Sequence, residues 1–128
     1  MVSKLLSFIK FAAPKVDLVL NTSELKAGEQ LSGKFFLKGG WVLQKAKRLE
    51  CDFIRVCPGK KPEVIEPVKT LLMSRSIEAN EKTEICFTYQ LPKELPPTCA
   101  HVSYRLQTKL VLADDSKHTD HDEVIVTA

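Results

Sequence analysis

Seven short segments of this chain alternate apolar and polar residues with period two, and turn chemistry separates each from the next. Val16, Leu18 and Leu20 alternate with Asp17, Val19 and Asn21. After a turn around Gly28, Leu31, Gly33, Phe35 and Leu37 form one face of a second segment. Leu49, Cys51 and Phe53 give a third, and Leu71, Met73 and Ile77 a fourth, with Arg75 the odd member. Ile85, Phe87, Tyr89 and Leu91 give a fifth, and Tyr104, Leu106, Thr108, Leu110 and Leu112 a sixth. The closing run "EVIV", residues 123–126, gives a seventh. Period two puts alternate side chains on opposite faces of a strand, so each segment has one dry face and one wet face. Seven such strands predict a β-sandwich over residues 15–128. The connections "KAGEQ", "KGG", "PGKKPE" and "EANEK" carry the Gly, Pro and Asn of turns, and "ADDSKHTDHD", residues 113–122, reads as a polar loop.

The stretch "FTYQLPKELPPT" bears on how two sheets connect. Phe87, Tyr89 and Leu91 build a strand, and Pro92, Pro96 and Pro97 then forbid its continuation. Proline has no N–H for a ladder and holds the chain near polyproline II geometry. A connector between packed sheets must cover about 10 Å without pairing to either. The prolines are therefore read as the crossing from one sheet to the other. The other reading is a ligand for a proline-reading domain, but no P-x-x-P repeat supports it.

Residues 1–14 stand apart as a helix or arm. Leu5, Leu6, Phe8 and Ile9 accompany Lys4 and Lys10, Ser3 can cap a short helix, and Pro14 would end it. Fewer than three turns is marginal alone, so a helix docked on the domain is expected, with attachment to a membrane surface as the alternative. Lys10 breaks the apolar stretch too early for a signal peptide, and no apolar run reaches the ~20 residues of a membrane span. The reading is a cytoplasmic protein. Cys51, Cys57, Cys86 and Cys99 form no C-x-x-C pair. Cys51 and Cys57 in one strand would lie roughly 20 Å apart, so free thiols are expected.

Residues 1–61 carry 12 Lys/Arg against 5 Asp/Glu, and residues 62–128 carry 7 against 11. Strands from both halves that interleave would mix these charges. Lys38, Lys45, Lys47, Arg48, Arg55, Lys60 and Lys61 could meet nucleic acid or anionic lipid. Only Trp41 accompanies them as a stacking residue, which is thin for single strands, and nucleic acid is not expected. Trp41, after two glycines, reads as a cap on the end of the core, or alternatively as a partner site beside Lys45, Lys47 and Arg48.

The order "AAPKVDLVL", "AGEQLSGKFFLKGG", "FTYQLPKELPPT", "VSYRLQTKL" and "DHDEVIV" resembles the first domain of the bacterial sporulation-control protein family, the Spo-zero-M type. The matching positions in the opening are Lys15, Val16, Asp17, Val19, Leu20, Gly28, Glu29, Gly33, Lys38, Gly39, Gly40 and Gln44. The resemblance implies an arrestin-like, immunoglobulin-type sandwich of seven or eight strands. It also implies a regulatory or scaffold role without enzymatic activity or cofactor. Members of that family usually carry a second such domain, and the given chain stops at Ala128. The expected mode of action is binding of other proteins through sheet edges or loops, with self-association through the edges as a variant. The alternative is a small metal- or ligand-binding sandwich using the loop 114–122, with His118, Asp120, His121 and Asp122 as ligands. No P-loop, no G-x-G-x-x-G and no G-x-S-x-G elbow is present, and His101 beside Cys99 is read as a chance neighbour.

Overall fold

The computed structural model describes residues 13–128, and the helix expected over residues 3–11 lies outside them. Eight strands follow: β1 (Lys15–Leu20), β2 (Glu24–Lys26), β3 (Gln30–Lys38), β4 (Gln44–Val56), β5 (Glu63–Ile77), β6 (Lys82–Gln90), β7 (Ser103–Leu112) and β8 (Lys117–Thr127). They form two sheets, one of order β1-β3-β6 and one of order β2-β8-β7-β4-β5. This is the all-β sandwich that the alternation predicts. Neighbours pair antiparallel except β2 and β8, which run parallel. No helix among the described residues is long and apolar enough to cross a membrane.

The inward faces are the apolar sets read from the sequence. Leu31, Phe35 and Leu37 of β3 meet Leu49, Phe53, Tyr104, Leu106 and Leu110 of β4 and β7, all at most 1% exposed. Phe35 lies on Phe87 with ring centroids 4.9 Å apart, and Phe53 stacks on Tyr104 at 5.5 Å. The one buried polar side chain among the described residues, Thr108, bonds the Cys51 thiol at 3.5 Å across the β4–β7 pair.

The proline stretch does connect the sheets, leaving β6 of one and entering β7 of the other. It is latched at Pro96 and Thr98. The Tyr104 hydroxyl donates to the Pro96 carbonyl at 2.7 Å, the Thr98 N–H donates to the Val126 carbonyl at 2.8 Å, and the Val126 N–H returns to the Thr98 hydroxyl at 2.8 Å. Leu91 and Leu95 are buried beneath it.

Three boundaries differ from the sequence reading. The fourth strand, β5, already begins at Glu63 and runs 15 residues. A short strand, β2, precedes the Gly28 turn. The polar run 113–122 is not one loop: a turn occupies 113–116, and β8 begins at Lys117. Asp115 takes φ 67°, which aspartate tolerates, and its N–H closes the turn on the Leu112 carbonyl at 2.9 Å. A turn that tight puts Lys117 directly opposite Val111, and the ladder then extends through residues whose side chains are polar on both faces.

Candidate functional site

β8 carries the sequence-predicted metal candidates, and the pleat divides them. His118, Asp120 and Asp122 fall on the face that continues into buried Val124 and Val126, whereas His121 falls on the exposed face. The first two reach the neighbouring edge strand. The Asn21 N–H donates to the Ser32 carbonyl, which fixes the phase of the β1–β3 ladder and turns the N–H groups of Val16, Leu18 and Leu20 outward. His118 Nδ1 accepts from Val16 N–H at 3.2 Å, and Asp120 Oδ2 accepts from Leu18 N–H at 3.1 Å. Asp122 makes no third bond of this kind. Its Oδ2 is buried without a hydrogen-bond partner, and an open groove of about 580 Å³ begins there, lined by residues 18–24, Asp122 and Glu123.

The electrostatics follow from that placement. Burial, then the Asp120 carboxylate beside it, then Asp17, push Asp122 up to about 7. Burial lowers the His118 imidazole, against the opposing pull of Asp120. A neutral imidazole with a bare Nδ1 is the form that can accept from Val16. No three His, Cys, Asp or Glu side chains among the described residues converge as a metal centre would require. His118 and Asp120 are committed instead to sealing the free edge of β1.

The connection between β3 and β4 holds the partner candidates. Trp41 does not cap the core: it is 57% exposed, and Val42 and Leu43 beside it are 54% and 53% exposed. Gly39 explains why. A Cβ at Gly39 would lie 2.1 Å from the Glu78 carbonyl oxygen, so the chain runs tight against the β5–β6 turn and turns the next side chains outward. Lys45 and Lys47 are exposed, and Lys47 pairs with Asp115 at 3.0 Å. Arg48 is half-buried and bonds Glu50 on its own strand, so it does not join a continuous basic face. Charges of the two sequence halves interleave, since each sheet draws strands from both.

Sheet edges were expected to be the interaction sites, and they differ sharply. β1 is sealed by His118 and Asp120, and β2 is three residues long. β5 contains Pro67, takes φ 43° at Ser74, and pairs with β4 through register shifts, which are devices that blunt an edge. β6 has none of these over nine residues. The Leu91 N–H donates to the Glu29 carbonyl at 2.9 Å, which fixes the β3–β6 phase and turns the N–H groups of Glu84, Cys86 and Thr88 away from β3. Sequence reading missed this edge because strand order, unlike alternation, leaves no local signal.

Comparison with known proteins bears on the family and the fold. The family model described as "SpoOM protein" matches residues 2–128. The sporulation-control protein spo0M of Bacillus subtilis (strain 168) is 25% identical over 131 residues, covering 98% of this chain and 51% of that protein. Its crystal structure superposes with a TM-score of 0.77 and 26% identity over 91% of this chain and 50% of that one. A CARDB domain from Pyrococcus furiosus, solved with two metal ions, shares the fold alone, with a TM-score of 0.61 at 11% identity over 91% of this chain and 94% of that domain. The chain thus spans about half the length of the curated relative it matches. The sandwich, the order of its strands along the sequence and the match over residues 2–128 make this chain a member of the SpoOM family of sporulation-control proteins.

Proposed function

We propose that this domain is a non-catalytic regulatory module of sporulation control that binds a partner protein by strand addition to β6. The regular outer edge of β6 carries this reading. Glu84, Cys86 and Thr88 offer N–H groups at every second position, the spacing an incoming strand needs, while the other three edges are sealed, short or bulged. The absence of catalysis is part of the proposal. Burial pushes the Cys51 thiol up to about 12, which leaves it a core side chain and not a nucleophile.

Proline at Thr88 tests the edge. An outward N–H makes no bond to β3, so Thr88→Pro removes a donor for the partner and leaves the sandwich intact. In the full-length protein, expressed in a spore-forming host lacking its own copy, Thr88→Pro should fail to restore normal spore formation, while Thr88→Ser restores it. Melting curves of the two variants should agree within a few degrees. Restoration by a well-folded Thr88→Pro protein would show that β6 is not the docking edge.

A further inference from the structure

We propose that the end of the sandwich carrying Lys15, Lys38, Lys82 and the loop with Trp41, Val42 and Leu43 docks on an anionic lipid surface. Register brings the three lysines together. Lys15 of β1 is opposite Lys38 of β3, and Lys38 is opposite Lys82 of β6, so three ammonium groups cross the last rung of one sheet. All three are on the exposed face. Like charges directly opposite on neighbouring strands are destabilising, and a change at any one of the three would relieve the repulsion. An anionic partner turns that cost into attraction.

The apolar loop leaves β3 immediately after Lys38. It is held in place by the Gly39 N–H on the Glu81 carbonyl at 2.7 Å and the Asn80 N–H on the Gly40 carbonyl at 2.9 Å. Three consecutive large apolar side chains are therefore presented outward beside the lysine rung, each more than half exposed. Lys45 follows two residues later. Most carboxylates at this end are already engaged. Glu81 is held by Arg75 at 2.8 Å, Asp115 by Lys47 at 3.0 Å, Asp114 by Ser116 at 3.0 Å, and Glu84 by Lys34 at 3.5 Å. Asp17 and Glu78 are the remaining acids near the rung. No ion pair engages Lys38, Lys45 or Lys82 among the described residues.

A bilayer matches both parts of this surface. Headgroups meet the ammonium groups, the Trp41 indole suits the interfacial layer, and Val42 and Leu43 suit the acyl boundary beneath it. An acidic protein would match only the charge.

Trp41 is the single tryptophan of the chain, so its emission reads this site directly. The 128-residue chain is mixed with vesicles of phosphatidylcholine alone or of an equimolar mixture with phosphatidylglycerol. Expected results are co-sedimentation with the anionic vesicles only, weakened by salt, with Trp41 emission shifted to the blue and shielded from acrylamide. The double variant Lys38→Gln/Lys82→Gln should bind about tenfold more weakly, and Val42→Ser/Leu43→Ser should lose the blue shift. Both changes are at exposed positions, and unchanged melting curves confirm that the fold is kept. Three results would overturn the proposal: no binding to anionic vesicles, binding that neither double variant diminishes, or binding to polyglutamate that competes with the vesicles and leaves the emission unshifted. The last would assign the surface to an acidic protein.

Discussion

Asp122 and His118 are titratable groups at the seam between the sheets, and they pull stability in opposite directions. Asp122 titrates near 3.8 in an unfolded chain and at about 7 in the folded one, because burial and Asp120 disfavour its charge. The folded protein therefore holds more protons over that interval, and stability falls as the pH rises from about 4 to about 7. The loss is on the order of 1–2 kcal/mol once solvent screening of a half-buried side chain is allowed for. Asp122→Asn is uncharged throughout, so its urea midpoint should fall less than that of the parent between about pH 5 and pH 8. Equal declines in both proteins would show that Asp122 does not carry the effect. His118, lowered by burial with Asp120 opposing, works the other way: stability falls as the pH drops below the unfolded imidazole's 6.5, and the bond from Val16 is lost only further down, where the folded imidazole takes a proton. Asp17 and Lys15, which face the pair from β1, complete the local charge set.

At the scale of elements, the Tyr104 hydroxyl is one of the latches on the inter-sheet connector. Tyr104→Phe keeps the ring against Phe53 and removes only the donor to Pro96. The Pro96 carbonyl, on an exposed residue, then loses its protein partner, a cost of at most about 1 kcal/mol, or a melting temperature lower by up to roughly 3–5 °C. Calorimetry at neutral pH checks this, and an unchanged melting temperature would mean that water replaces the hydroxyl. This connector was legible in the sequence because Pro92, Pro96 and Pro97 exclude either ladder. The first half of β8 was not, and the reason is physical. His118, Asp120 and Asp122 alternate with Lys117, Thr119 and His121, so both faces are polar and period two has no contrast to show. Trp41 misled for a related reason. A large aromatic residue after two glycines suggests a core cap, and only the contact of Gly39 with the β5–β6 turn reveals that it is turned outward. The inward faces of β3, β4 and β7 were read correctly because apolar and polar residues there do contrast.

For the whole molecule, the four thiols rank access to the interior. Cys86 and Cys99 are exposed, Cys57 is half-buried and Cys51 is buried. With a thiol reagent in native buffer, Cys86 and Cys99 should react at once, Cys57 more slowly, and Cys51 only at the rate of global opening. Peptide mapping of the labelled protein over time gives the order, and early labelling of Cys51 would show that β4 separates from its neighbours without global unfolding. The charge split between the two sequence halves is dispersed over both sheets by a strand order that no local pattern encodes. The side chains that seal β1 belong to residues 102 positions later in the chain. During synthesis, β1 and β3 therefore emerge with an unsealed edge that stays open until His118 and Asp120 have left the ribosome. Any chaperone need of this domain should fall in that interval, and a product truncated before Lys117 would leave the edge open permanently.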